Sequence, residues 1–184
     1  MKQTLYLFLL IFSFVCSCKS DKQREGAAKI VNEWIGKEIL FPENFSCYVS
    51  GKDTLSELCS EQFQKEYKIL LYVDSTGCSD CRLRLLEWKQ LMVETDSLFS
   101  GKVGFLLYFQ PKDVKEMSNL FTRNRFDYPV FMDTKGAINS LNRFPQTVQY
   151  QCFLLDNNNK VLMIGNPVSN PRIWELYKEQ IIKN

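Results

Sequence analysis

The apolar positions of this chain follow two rhythms. Lys68 to Asp74 and Val103 to Phe109 are near-continuous apolar runs, the pattern of strands buried on both faces. Pro129 to Met132 is a shorter run of the same kind, and Phe45 to Val49 predicts a short strand. Cys152 to Leu155 and Val161 to Ile164 flank Asp156-Asn157-Asn158-Asn159-Lys160. Asparagine tolerates positive φ, so this pair predicts a hairpin. Between the strands the spacing turns helical. Ala27 to Leu40 carries Ile30, Val31, Trp34, Ile35 and Ile39, and Pro42 is expected to end it. Thr54 to Tyr67, Leu83 to Leu98, Val114 to Phe121 and Ala137 to Phe144 read as further helices. Pro171 to Ile182 closes the chain as a helix with proline near its first turn. Strands alternating with helices imply parallel pairing, and the late hairpin adds antiparallel strands. The expected class is α/β, a mixed sheet with helices on both faces.

The first residues have a different pattern. Lys2 precedes an apolar stretch from Leu5 to Val15, the length of a signal h-region and too short to span a bilayer. It ends in Val15-Cys16-Ser17-Cys18, which resembles a bacterial lipobox. Residues 1–17 are therefore expected to be a lipoprotein signal peptide, with Cys18 lipidated as the mature N-terminus. Residues 18–42 would form a tether and a helix, and residues 43–184 the folded domain. The expected location is the cell envelope, lipid-anchored and facing the periplasm or the surface.

Composition narrows the chemistry. The 184 residues carry 23 basic and 21 acidic side chains, so nothing argues for nucleic acid. The chain has 0 histidines, which removes Ser-His-Asp, Cys-His and His-ligated metal chemistry. Cysteine, with 7 copies, is the main reactive group left.

Cys78-Ser79-Asp80-Cys81 stands between a predicted buried strand and a predicted helix. A helix N-terminus offers free N–H groups and partial positive charge, which stabilise a thiolate. Cys78 is then the attacking thiol and Cys81 the resolving one. Asp80 opposes a very stable thiolate and Arg82 and Arg84 favour it, so a mildly to strongly reducing pair is expected. A static disulfide clipping a turn is the competing reading. Zinc would need Cys47 and Cys59 as further ligands, but a second close-spaced pair is absent, and no metal or cofactor is expected. In an oxidising compartment Cys47 and Cys59 either form a second disulfide or remain two buried thiols. Cys152, within a predicted core strand, reads as an inert hydrophobe. Trp34, Trp88 and Trp174 fit the apolar faces of helices.

With Cys78 and Cys81 after the first long buried strand, the chain resembles the thioredoxin fold. More specifically it resembles the membrane-anchored TlpA/ResA-like thiol-disulfide oxidoreductases, which share features with peroxiredoxins. The resemblance rests also on Thr54-Leu55-Ser56-Glu57-Leu58, on Tyr128-Pro129-Val130-Phe131-Met132-Asp133, and on Phe153-Leu154-Leu155-Asp156 followed by Gly165. It implies a thioredoxin-like three-layer fold with an N-terminal helical extension, in an exported lipoprotein of the Bacteroidota type. It implies reduction or exchange of disulfides in exported cysteine-containing proteins, with a thiol protein as redox partner. A monomer held to the membrane by its lipid is expected. Gly77, Tyr150 and Pro145 become substrate-binding candidates. Gly77 stands where the family has tryptophan, and Tyr150 fills the usual cis-proline slot, with Pro145 five residues earlier. Tyr72 occupies the slot of the buried acid. The peroxiredoxin signature is incomplete, because Ser75 is in place but Leu71 replaces its proline. These departures sustain a rival reading, a non-catalytic thioredoxin-like accessory lipoprotein.

Overall fold

The computed structural model describes residues 24–50, 56–75 and 83–183. It divides into two compact units, Met1–Trp34 and Ile35–Asn184. The described part of the first is one helix, α1, over residues 24–34. The predicted helix ran to Leu40, but Gly36 adopts a left-handed φ of 79° and ends it early. Residues beyond Gly36 run extended along the late hairpin instead. Gly36 N–H donates to Val161 O, Ile39 N–H to Asn159 O, and Val161 N–H to Lys37 O. Ile39 is thus buried by sheet pairing rather than by a helical face.

The second unit is built on a six-stranded sheet in the order β1-β4-β3-β2-β5-β6. The strands are β1 (Ser46–Tyr48), β2 (Tyr67–Val73), β3 (Val103–Phe109), β4 (Val130–Met132), β5 (Cys152–Leu155) and β6 (Val161–Ile164). β2, β3 and β4 pair in parallel, and β5 joins β2 antiparallel. β5 and β6 form the predicted hairpin. Its turn is held by Asp156, whose carboxylate accepts from the N–H groups of Asn158 and Lys160, with Asn159 at φ 62°. One pairing went unforeseen, since β1 lies antiparallel to β4 at the sheet edge.

Among the described residues the further helices are α2 (Ser56–Gln64), α3 (Leu85–Phe99), α4 (Val114–Arg123), α5 (Ala137–Asn142) and α6 (Pro171–Ile182). Local chemistry sets several of their starts. The Asp113 carboxylate accepts from Lys115 and Glu116 N–H, a cap worth about 1 kcal/mol. Asn170 caps α6 through Arg172 N–H, with Pro171 at the first helical position. One sheet face carries Ile69, Leu71, Phe105 and Leu107, packed with Trp88 and Met92 of α3, Phe121 of α4 and Tyr177 of α6. Trp34, Trp88 and Trp174 are all buried. The alternate positions of β3 face α2. There α2 comes very close to β3. A Cβ on Gly104 would lie 2.3 Å from Gln62 O, and Gln62 Oε1 accepts from Phe105 N–H at 3.0 Å. Only glycine allows that approach.

Cys47 of β1 and Cys59 of α2 form a disulfide that ties the edge strand to the helix. They are therefore neither free thiols nor zinc ligands. Cys152 is free, fully buried in β5, and next to Tyr177.

Candidate active site around the β2–α3 connection

The Cys78 and Cys81 pair, Gly77 and the lipidation candidate Cys18 lie outside the described residues. What is described is the frame on either side of the pair. β2 supplies the first wall. It is the central strand, paired by β3 and β5 and buried along nearly its whole length, which is why the sequence Tyr-Lys-Ile-Leu-Leu-Tyr-Val folds there. Its end is held past the ladder by Gln110 N–H donating to Val73 O at 2.9 Å.

α3 supplies the second wall. The predicted helix began at Leu83, but its regular part starts at Leu85, because Arg84 sits in the left-handed region at φ 50°, ψ 46°. That conformation costs a non-glycine residue about 1 kcal/mol or more. Compensating contacts hold it. Arg84 Nε pairs with Glu87 at 3.1 Å, Nη1 donates to Val168 O at 2.8 Å, and Arg84 O accepts from Trp88 N–H at 3.1 Å. Of the two guanidinium groups expected to support the Cys78 thiolate, that of Arg84 is thus engaged by Glu87 and Val168. Leu83 is buried beside the same break.

The segment before β5 meets the end of β2. Gln151, not Tyr150, directly precedes the strand, and its carbonyl accepts from Tyr72 N–H at 2.9 Å. Tyr150 belongs to a 3-10 turn, Val148–Tyr150, and is half-buried. Gln151 itself is buried, and its side-chain amide donates to Pro145 O at 2.9 Å. Pro145 and Gln151 are therefore brought together beside the end of β2. Every peptide bond among the described residues is trans.

Tyr72, in the slot of the buried acid, is fully packed. Its ring lies 4.9 Å from that of Phe144, and its hydroxyl donates to Gln110 Oε1 at 2.9 Å. The position therefore carries a neutral hydrogen-bonded pair. Gln110 and Gln151 were not singled out from the sequence. A lone glutamine beside a strand carries no periodic signal, and only the assembled sheet shows which backbone groups it meets.

The described thiol near this region has no redox chemistry open to it. Burial pushes the Cys152 thiol well above its ordinary value, and the Tyr177 hydroxyl only partly offsets that. It stays protonated and unreactive. The Tyr177 hydroxyl donates to Gly165 O at 2.8 Å. Among the described residues no cluster of acidic or cysteine side chains is arranged to hold a metal ion.

No protein-family model matches this chain, and no curated protein matches it. Solved structures do. A protein assigned as a disulfide isomerase in Bacteroides thetaiotaomicron superposes with a TM-score of 0.56 at 13% identity, over 82% of this chain and 91% of that one. A protein assigned as the thiol:disulfide interchange protein DsbE in Chlorobium tepidum gives 0.55 at 17% identity, over 80% and 96%. Peroxiredoxin Q of Xanthomonas campestris gives 0.53 at 16% identity, over 74% and 90%. The chain has the thioredoxin fold. At these identities the likeness concerns the fold alone.

Proposed function

We propose that this protein is a membrane-anchored thiol-disulfide oxidoreductase that reduces or exchanges disulfides in exported proteins through Cys78 and Cys81. One observation carries the reading. In a thioredoxin fold, the Cys-x-x-Cys falls in sequence between the end of β2 at Val73 and the start of α3 at Leu85. The remaining cysteines support it by elimination. Cys47 and Cys59 are joined to each other and Cys152 is buried and protonated. Cys16 falls within the proposed signal peptide, and Cys18 is assigned to the lipid anchor.

The chemistry is thiol exchange. The Cys78 thiolate attacks a substrate disulfide, forming a mixed disulfide and releasing one substrate thiolate, which takes a proton. Cys81 then displaces the second substrate sulfur. The substrate leaves as a dithiol, and Cys78 and Cys81 are left oxidised. A partner dithiol protein returns two electrons by the same exchange. The protein would work in the cell envelope, its domain beside the membrane that holds the Cys18 lipid.

A second reading, an accessory binding module with a static Cys78–Cys81 bridge, draws on Tyr150 standing in the slot where the resemblance leads one to expect proline. Redox titration in glutathione buffers, with alkylation and mass mapping at each point, separates the two. A reversible two-electron transition at Cys78 and Cys81, with Cys78 alkylating first, supports the oxidoreductase. A bridge that resists reduction until the protein unfolds would refute it.

A further inference from the structure

Between the cysteine pair and α3 the helix is interrupted at one residue. Leu83 is helical, Arg84 is left-handed, and the chain is helical again from Leu85. Glycine would take that φ without strain, whereas arginine takes it against resistance from its own Cβ. The contacts of the guanidinium offset that resistance.

Those contacts are not equal. The ion pair with Glu87 stays within α3 and is open to solvent, so it fixes little by itself. It does balance the arginine charge, leaving a neutral pair rather than a free cation. The bond to Val168 O reaches another element, and its acceptor is held in place. Asn166 Oδ1 accepts from Val168 N–H at 2.9 Å and from Ser169 N–H at 3.3 Å, and Asn166 O accepts from Asn170 N–H at 3.1 Å. Asn170 in turn caps α6, and Val168 packs against the core. The start of α3 is thus tied to the turn between β6 and α6.

Cys78 and Cys81 both precede Leu85 by more than a helical turn in sequence. A helix dipole acts within its first turn. The break at Arg84 keeps the peptide dipoles of α3 from adding to those of the turn before it. We propose that Arg84 is a positioning residue for the Cys78 and Cys81 pair: its left-handed backbone, locked by Val168, uncouples the pair from the dipole of α3 and so sets the pair's reactivity. This rests on the oxidoreductase reading. Arg84 acts through geometry, where its charge alone suggested an electrostatic role. The Cys78 thiolate is then stabilised less than a continuous helix would stabilise it, which favours a reducing pair and a more nucleophilic sulfur.

Two variants of the full chain separate geometry from charge. Arg84→Gly loses the guanidinium and keeps the left-handed backbone. Arg84→Ala loses both, and residue 84 should become helical, read from its backbone NMR shifts. Alkylation of Cys78 by iodoacetamide is then followed against pH with mass mapping. In Arg84→Ala the midpoint should fall by about 0.2–0.7 pH unit, the span of a helix-dipole contribution, while Arg84→Gly stays with the parent. Arg84→Gln gives the same reading if Arg84→Ala fails to fold. A midpoint moved alike in both variants would assign the effect to the lost side chain rather than the backbone, and would overturn the proposal. So would two destabilised variants that keep the parent's midpoint, the mark of a structural clamp, or a lowered midpoint with residue 84 still left-handed. A parent whose pair never cycles in glutathione buffers sinks the oxidoreductase reading and the role of Arg84 together. A cycling parent with unmoved variants sinks the role of Arg84 alone.

Discussion

Removal of the Cys47–Cys59 bridge tests how the edge of the sheet is secured. The bridge links residues 12 apart in sequence and closes β1 onto α2. In the chain-entropy treatment, closing a loop of about 13 residues lowers the entropy of the unfolded chain enough to stabilise the fold by about 3 kcal/mol. β1 has only three residues, paired on one side to β4, so it brings little of its own. Cys59 is completely buried, so alanine is the right replacement there, since serine would bury an unpaired hydroxyl. The double variant Cys47→Ala, Cys59→Ala should unfold about 3 kcal/mol more easily in guanidinium. Its melting temperature should fall by about 6–12 °C, from the slope usual for a domain of this size. Hydrogen exchange should locate the change, with β1 amides losing protection while β2 and β3 keep theirs. A variant as stable as the parent to within about 0.5 kcal/mol would refute the reasoning, because the loop would then be ordered in the unfolded chain or the bridge strained in the folded one. Uniform loss of protection across the sheet would refute the local role assigned to the bridge.

Three further predictions concern buried polar groups. Asn142→Ala should cost about 1–3 kcal/mol, because the amide accepts from Leu40 N–H and donates to Leu40 O and Ile138 O, and urea unfolding would measure it. Burial holds Lys68 below its ordinary value despite the opposing pull of Asp156, so between the folded value and 10.5 the unfolded chain binds more protons. Stability measured against pH should therefore rise through that alkaline window in the parent and be flatter in Lys68→Met, and a difference that stays constant or falls would contradict the assignment. Cys152 should resist iodoacetamide in the folded protein and react on unfolding, read by mass mapping, since burial keeps its thiol protonated.

Much of the architecture was legible in the order of residues. β3, β5, β6 and α6 occupy the spans their patterns predicted, because burial on both faces, the asparagine-rich turn and Pro171 are local signals. α3 and α1 departed for reasons of backbone conformation. Arg84 adopts a left-handed conformation that nothing in its own chemistry favours, and its contacts with Glu87 and Val168 exist only once the fold has formed. Gly36 ends α1 before Pro42 can, because the extended chain beyond it gains hydrogen bonds to the hairpin.

By itself the sequence determined the class of fold, the absence of histidine chemistry and the presence of one Cys-x-x-Cys after a buried strand. Those follow from composition and from periodicities of a few residues, which neighbouring side chains alone impose. Tertiary structure decided the rest. It chose between disulfide and thiols for Cys47 and Cys59, which requires β1 and α2 to meet across the sheet edge. It set Gln151 against Pro145 and Tyr72 at the end of β2. Such contacts join groups that the local sequence does not set side by side, and their energies depend on distances that exist only after the sheet has closed.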